Sequence, residues 1–295
     1  MNNVKCFDIG GIVWKIVSKY EYKLPENVQE FQIANITGDR KIIEVIVEDE
    51  KNCHLNLIDQ DCKYSYTNWI EVIKRGDLQI FSYSPDGISP ISKLVYERQC
   101  TTAYLYINDS LYDYDSMVSL IESTPFLMLN MLVQLDNDGF LIHTSAFEVQ
   151  NKGALFSGES GSGKTTLTTL MNKYSKNKIL TDETAIIRKK GNIYFVYGTP
   201  WKGSGAEYYK NDFGELKSIS FIYHGKGNYM KSLTRNEMIR NTMKQSFPYF
   251  WDSHCMTRLF AIVCDLVNSI EVNKLYFLPN ETVVDYIEEY VRELK

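Results

Sequence analysis

A Gly-rich octapeptide near the middle of the chain carries the residues best suited to chemistry. It spans residues 158–165, reads Gly-Glu-Ser-Gly-Ser-Gly-Lys-Thr and fits the pattern G-x-x-x-x-G-K-[ST]. Glycines let the backbone curl so that its N–H groups converge on a phosphate. The pattern therefore predicts a P-loop, in which Lys164 reaches the terminal phosphates and the Thr165 hydroxyl ligates Mg²⁺.

The loop sits between the elements that such a motif requires. An apolar, strand-like segment precedes it and a helical segment follows it, so the helix N-terminus would add its positive dipole end to the site. We expect ATP and Mg²⁺ as ligands. The motif does not name the reaction, because switches, motors, transporters and kinases share it. The expected nucleotide-binding residues are Gly158, Glu159, Ser160, Gly161, Ser162, Gly163, Lys164, Thr165 and Thr166.

Two adjacent acids, Asp182 and Glu183, follow a short apolar strand predicted at residues 178–181. The ends of strands beside a P-loop face the phosphate crevice. One carboxylate would then hold Mg²⁺ and the other would take a proton from an attacking hydroxyl. The alternative is a turn with two solvated carboxylates, and the spacing leaves both interpretations open.

His143 and Lys202 are less specific candidates. His143 ends a predicted strand, and a parallel strand next to it would bring the imidazole near the phosphates, where it would orient an Asp base. A lone His at a strand end is more often structural. Lys202 lies in a second Gly-rich segment, residues 198–205, which is either an exposed connection or a mobile loop that brings Lys202 to the transferring phosphoryl group. His224 has no comparable residues around it.

The elements around these residues predict two domains. Residues 1–112 are rich in β-branched and alternating segments, which predicts a β-rich N-terminal domain built on an antiparallel sheet. Residues 113–295 alternate strands with helical segments and hold all the candidate site residues. The predicted fold class is therefore α+β or α/β, with the β-rich domain preceding a P-loop catalytic domain.

Composition and charge exclude several classes of protein. The chain of 295 residues has a net charge of −5 and no clustered Lys/Arg run, so we expect no nucleic-acid partner. We expect no signal peptide, and no apolar run is long enough to predict a membrane span. Its six cysteines form no CxxC pair and no metal-ligand spacing with the four histidines. We expect a cytoplasmic protein, with a homo-oligomer left open.

Several segments resemble the HPr kinase/phosphorylase superfamily. They are more similar to the HPr-kinase-related proteins found beside peptide-modification genes, some of which are similar to serine kinases that act on lasso-type peptide precursors. The resemblance covers residues 113–295 and, more loosely, the opening Gly10-Gly11-Ile12. The segments that carry it are HTSA at 143–146, LFSGESGSGKTTL at 155–167, LTDE at 180–183, GTPW at 198–201 and the tail at 272–284.

The resemblance implies a phosphoenolpyruvate-carboxykinase-like P-loop kinase core, whose sheet is mixed and bent. By this resemblance, His143 matches the family's histidine before the P-loop. Asp182 matches the first of its paired aspartates, which is thought to handle the proton of the substrate hydroxyl. Glu183 stands where the family usually has the second Asp, so it keeps the charge on a longer arm. The N-terminal domain does not resemble that of HPr kinase, so HPr is not implied as the substrate.

The sequence therefore predicts an ATP-dependent kinase that phosphorylates a hydroxyl, foremost a Ser or Thr of a peptide or small protein. Asp182, oriented by His143, would accept the proton. Thr165 with Glu183 or Asp182 would hold Mg²⁺, and Lys202 would stabilise charge on the moving group. Two alternatives remain, namely a kinase for the hydroxyl of a free metabolite, and a non-catalytic nucleotide sensor or peptide-binding partner.

Overall fold

The computed structural model describes residues 3–21, 24–55, 58, 61–108, 120–159, 161–202 and 207–294. The chain divides into two compact units. The first consists of Met1–Asp136 with Tyr249–Ser253, and the second consists of Asn137–Pro248 with His254–Lys295. Each combines helices with a large mixed sheet, which makes the fold α+β. The boundary predicted between residues 112 and 113 lies outside the described residues.

The described part of the first unit is built on a nine-stranded sheet with two helices. The strands lie in the order β3-β1-β2-β4-β9-β8-β7-β6-β5. The bounds are β1 (Asn3–Ile9), β2 (Ile12–Ser18), α1 (Glu26–Gln29), β3 (Gln32–Ile33), β4 (Ile42–Asp49), β5 (Cys62–Ser65), β6 (Ile70–Arg75), β7 (Leu78–Tyr83), β8 (Ser92–Glu97), β9 (Thr102–Ile107) and α2 (Thr124–Asp136).

Local sequence explains the strands of this sheet. In β4, Ile43, Val45 and Val47 are buried while the residues between them are more exposed, which is the alternation expected of a strand with one face in a core. The turn from β1 to β2 consists of Gly10 and Gly11, both with positive φ (65° and 72°). A two-residue turn of this kind matches the right-handed twist of the strands, so it sets their register.

The prediction of an antiparallel sheet is wrong for the middle of this unit. β2 and β4 are parallel, as are β4 and β9, while the other pairs are antiparallel. The reason is topological, because α1 and β3 separate β2 from β4 in the chain, and β5 to β8 separate β4 from β9. Such long connections bring the chain back in the same direction. The alternation within a strand does not encode the direction of its partner.

A short segment from late in the chain, Tyr249–Ser253, completes the first unit. Trp251 is almost fully buried, and its indole N–H donates to the side-chain oxygen of Gln79 (2.8 Å). The buried carboxylate of Asp252 forms an ion pair with Lys74 (2.7 Å). The Tyr249 hydroxyl donates to the carbonyl of Met131 (2.7 Å). These bonds satisfy polar groups of β6, β7 and α2 that would otherwise be buried without partners.

The second unit is built on a mixed sheet in the order β10-β14-β15-β16-β12-β11-β13, with β18 pairing both β16 and β17. Among the described residues, no helix is long and apolar enough to cross a membrane. The bounds are β10 (Gly139–His143), β11 (Ser145–Val149), β12 (Lys152–Ser157), α3 (Lys164–Tyr174), β13 (Lys178–Thr181), β14 (Thr184–Lys190), β15 (Ile193–Tyr197), β16 (Phe213–His224), β17 (Tyr229–Ser232), α4 (Arg235–Gln245), α5 (Ser253–Ser269), β18 (Glu271–Phe277) and α6 (Thr282–Glu293).

This sheet bends at two short interruptions. Only Thr144 separates β10 from β11, and only residues 182–183 separate β13 from β14. β10 pairs with β14 and β11 pairs with β13, although these pairs lie at opposite ends of the strand order. The backbone N–H of Thr144 donates to the carbonyl of Glu183 (3.0 Å), which holds the two interruptions side by side. The acids at 182–183 therefore lie where the sheet bends.

Helices α3 and α6 pack against β11, β12 and β18 in one apolar core. The apolar residues of α6 recur at helical spacing, so they form a single buried stripe. Fully burying each such side chain stabilises the fold by about 1.5–3 kcal/mol. This packing fixes the start of α3 relative to the end of β12. The core includes Phe147, Phe156, Leu167, Met171, Leu275, Phe277, Val283, Ile287 and Val291.

Candidate functional site

The Gly-rich loop (residues 158–165) joins β12 to α3, with the strand and the helix where the sequence predicts them. Ser160 lies outside the described residues. Gly161 and Gly163 have φ values of 77° and 107°, which L side chains rarely adopt. An added Cβ on Gly163 would also lie 3.0 Å from the ring of Phe277. The glycines of the motif are therefore required by the path of the backbone.

The interior of the loop leaves a polar group without a partner. The Ser162 hydroxyl oxygen is buried and has no hydrogen-bond partner among the described residues. A Cβ on Gly158 would lie 2.5 Å from this oxygen, so the loop closes too tightly for a side chain there. A buried unpaired hydroxyl costs about 1–3 kcal/mol, and a bound polar ligand would remove that cost. These features fit a phosphate bound within the loop.

Lys164, the first residue of α3, folds back over the loop. Its ammonium donates to the carbonyl of Gly158 (2.7 Å). Burial lowers the pKa of Lys164, and the nearby carboxylate of Glu183 opposes this by raising it. Thr165 and Thr166 follow on the same turn with exposed side chains. A partly desolvated ammonium attracts an anion more strongly than one in open water, which suits a phosphate ligand.

Asp182 is a carboxylate held in the bend between β13 and β14. One carboxylate oxygen accepts the backbone N–H of Glu207 (3.1 Å), while the other is buried without a partner among the described residues. Burial raises the pKa of Asp182, although the backbone N–H groups of Glu207 and Tyr208 partly offset this by lowering it. The raised pKa makes Asp182 a stronger base than an ordinary Asp.

Glu183 pairs with His143. The imidazole Nδ1 of His143 lies 3.3 Å from a carboxylate oxygen of Glu183. The hydrogen bond from His143 lowers the pKa of Glu183, burial opposes this, and the charge of Lys164 lowers it further. Neighbouring carboxyl groups with opposite shifts are typical of sites that divide two roles between two acids. Glu183 would stay ionised while Asp182 accepts a proton.

The structure corrects the predicted setting of His143. From the sequence, the imidazole is expected to orient Asp182, which a strand parallel to and beside that of His143 would allow. In fact β10 pairs antiparallel with β14, which sets His143 opposite Thr184, next to Glu183. Its backbone still reaches the loop, because the Ser157 hydroxyl donates to the carbonyl of His143 (2.7 Å). The imidazole therefore contacts Glu183, the second acid.

The residues expected to hold Mg²⁺ are Thr165 and the two acids at 182–183. Within the described ranges, no group of three or more His, Cys, Asp or Glu side chains is suited to hold a metal ion. Mg²⁺ usually takes one or two carboxylates together with substrate phosphates and water. Thr165, Asp182 and Glu183 would meet that pattern only with a nucleotide in place.

The predicted role of Lys202 stays a prediction. Its side chain is exposed and makes no hydrogen bond or ion pair with the described part of the chain. Residues 203–206 of the second Gly-rich segment lie outside the described residues. The neighbouring Trp201 is buried, which favours an anchoring role for that side chain.

His224 and Lys244 lie beside the loop, although the sequence does not indicate it. The imidazole Nε2 of His224 is 3.2 Å from the carbonyl of Gly161, and Lys244 forms an ion pair with Glu159. β16 is parallel to β12, with Phe221 opposite Ser157, so both strands end at the same edge. Knowledge of this parallel pairing would have identified His224, because residues at the carboxyl ends of two adjacent parallel strands lie close together.

Gly198 supports the segment that holds Asp182. An added Cβ would lie 2.6 Å from the carbonyl oxygen of Leu180, and closer still to that of Lys210. We expect Gly198→Ala to lower the free energy of unfolding by about 1–3 kcal/mol, because two backbone carbonyls must move. Chemical denaturation measures this loss. Gly227→Ala is the matched control, since its Cβ meets nothing within 4 Å. Equal stability of the two variants would contradict this account.

Comparisons with known proteins give limited similarity. No protein-family model matches the chain, and no curated protein matches it. One solved structure that resembles it is the Hpr(Ser) kinase/phosphatase from Coxiella burnetii, at 12% identity and a TM-score of 0.30. The match covers 52% of this chain and 93% of that one. Because similarity is this low, the functional conclusion depends on the geometry of the loop and the acids.

Proposed function

We propose that the chain is an ATP-dependent kinase that transfers the terminal phosphoryl group to a hydroxyl of a Ser or Thr in a peptide or small protein. The observation that carries the proposal is the pair of unlike acids beside the loop. Asp182 has a raised pKa and a buried oxygen without a partner among the described residues, whereas Glu183 has a lowered pKa and lies close to Lys164. A site that only binds phosphate does not need a basic carboxylate.

The proposed roles follow from the partners of each residue. The backbone of the Gly-rich loop, the Ser162 hydroxyl and the Lys164 ammonium would bind the phosphates. Thr165 and the ionised Glu183 would hold Mg²⁺, which when bound supplies positive charge against the phosphates. His143 is a positioning residue, because its hydrogen bond keeps Glu183 ionised and fixes its orientation.

Asp182 would act as the general base. Its carboxylate takes the proton from the acceptor hydroxyl as that oxygen forms a bond to the terminal phosphorus. The bond between this phosphorus and the bridging oxygen breaks, and the products are the phosphorylated acceptor and ADP. A carboxylate whose pKa is raised toward the working pH is a better base than an ordinary Asp. The acceptor proton therefore ends on Asp182 before it passes to water.

A peptide or small-protein acceptor follows from the resemblance of residues 143–146, 155–167, 180–183 and 198–201 to HPr-kinase-related proteins. Among the described residues, one buried oxygen of Asp182 has no partner, and a sensor that binds nucleotide without turnover would lose stability by burying it without a task in catalysis. The catalytic proposal is preferred for that reason.

The test is incubation of the protein with Mg²⁺, ATP labelled at the terminal phosphate, and the peptides encoded by neighbouring genes. We expect label on a Ser or Thr of one peptide, located by mass spectrometry, together with release of ADP. Free Ser, Thr and common sugars serve as the parallel acceptors. If only a free metabolite is labelled, the acceptor is a metabolite and not a peptide. If ATP binds but no acceptor leads to release of ADP, the protein is a nucleotide sensor.

A further inference from the structure

A cavity of about 310 Å³ lies beside the Gly-rich loop. Its described lining comes from the loop, the end of β16 and the last turns of α4, and includes neither Lys164 nor the acids at 182–183. In the sheet, β12 lies between β16 on one side and β11 on the other, and β11 pairs with β13, which leads to Asp182. The cavity and the acids thus flank the loop from opposite sides.

We infer that this cavity binds the base and ribose of the nucleotide, with adenine as the preferred base. The inference rests on the proposed function, because it requires the phosphates to lie in the Gly-rich loop. A triphosphate that crosses the loop places its terminal phosphate by Lys164 and Asp182 at one end. The nucleoside at its other end then enters the cavity.

Two amide side chains provide the base-recognising groups. Asn241 and Gln245 both line the cavity and are four residues apart on α4, so they lie on one face of the helix. Both are partly buried, and neither side chain has a hydrogen-bond partner in the described ranges. A carboxamide offers one donor and one acceptor side by side, which matches the amino group and ring nitrogen of adenine.

An aromatic surface is available for stacking. Tyr223 at the end of β16 lines the cavity, and Tyr276 of β18 stacks on it with ring centroids 5.4 Å apart. Tyr229 stacks in turn on Tyr276 at 4.8 Å. Because β16 lies between β18 and β12, Tyr223 has the stacked tyrosines on one side and the strand that enters the loop on the other. A purine in the cavity would extend this stack.

The size and rim of the cavity fit a nucleoside. Pockets for small ligands span about 300–1,000 Å³, so this one has room for a base and a sugar. At the rim, Lys244 forms an exposed ion pair with Glu159. This pair places a donor and an acceptor where ribose hydroxyls would lie, between the cavity and the loop.

The test compares two ligands that differ only in the nucleoside. Isothermal titration calorimetry with Mg²⁺ gives Kd for ATP and for inorganic triphosphate, and we expect at least a tenfold preference for ATP. Asn241→Ala, Gln245→Ala and Tyr223→Leu should each raise the Kd for ATP about tenfold, which is the loss of one good hydrogen bond or stacking contact. The Kd for triphosphate should stay within about twofold.

Asn236→Ala is the matched control, because it makes the same change at an exposed position of α4 outside the cavity and should alter neither Kd. The inference is overturned if all three cavity variants bind ATP with the wild-type Kd. It is overturned as well if their Kd values for ATP and for triphosphate rise by the same factor. It is also overturned if the variants raise the acceptor KM at unchanged ATP affinity, which would assign the cavity to the acceptor. Wild-type protein that binds neither ligand would instead refute the proposed function itself.

Discussion

Lys164→Ala should abolish phosphoryl transfer while leaving the fold intact. We expect the rate with saturating ATP to fall by a factor on the order of 10²–10³, the usual loss when one fixed donor to the developing charge is removed. The ammonium donates a hydrogen bond to the carbonyl of Gly158, at the start of the loop, and is partly desolvated. Its contribution to a phosphate should therefore be larger than that of a surface lysine.

The control for this variant is Lys173→Ala on the same helix. Lys173 is exposed and lies over the ring of Tyr174, at the far end of α3 from the loop. We expect it to change the transfer rate by less than about twofold. Thermal unfolding of Lys173→Ala should match that of the wild type, and Lys164→Ala should be at least as stable, because burial of the Lys164 charge opposes folding. Equal transfer by Lys164→Ala and wild type would contradict the proposed mechanism.

Asp182→Asn should abolish transfer and stabilise the protein without nucleotide. The amide cannot accept the hydroxyl proton, so we expect a loss of about 10²–10⁴-fold in rate. Burial raises the pKa of Asp182 in the folded state, so the folded protein binds more protons than the unfolded chain between the ordinary and the raised pKa. Stability therefore falls as pH rises through that window, and the neutral amide avoids the loss.

The pH dependence of stability distinguishes removal of a buried charge in Asp182→Asn from the simple loss of a contact. We expect the melting temperature of Asp182→Asn to exceed that of wild type at neutral and alkaline pH by about 2–4 °C for each 1 kcal/mol gained. The difference should shrink as the pH falls below the raised pKa. The wild-type transfer rate should decline over the same range, because the base becomes protonated. A variant less stable than wild type at every pH would contradict the raised pKa.

The sequence predicts the Gly-rich loop and its flanking strand and helix well, because these features depend on residues that are close together in the chain. The glycines at 161 and 163 have the positive φ that the motif requires, and Phe156 and Leu167 place strand and helix in one core on either side of the loop. Local sequence fixes such features because the residues that need one another are adjacent. The prediction of nucleotide binding depends on this stretch.

The parts that the sequence does not predict depend on pairing between distant strands. His143 contacts Glu183 and not Asp182, because β10 pairs with β14. His224 reaches Gly161 because β16 runs parallel to β12, and neither pairing is encoded by the alternation within a strand. The same limit explains the parallel pairs in the first unit. The sequence does not indicate a role for Asn241 and Gln245 of α4, because only the fold places this helix beside the loop.

Tyr249–Ser253 has a consequence for how the protein is made. The ribosome synthesises the chain from its N-terminus onward. The first unit therefore lacks this segment until more than a hundred residues after Asp136 have been added. At about 5–20 residues per second, the side chains of Gln79 and Lys74 wait roughly 9–36 s for Trp251 and Asp252. The first unit thus reaches its final core only after Asn137–Pro248 of the second unit has been synthesised.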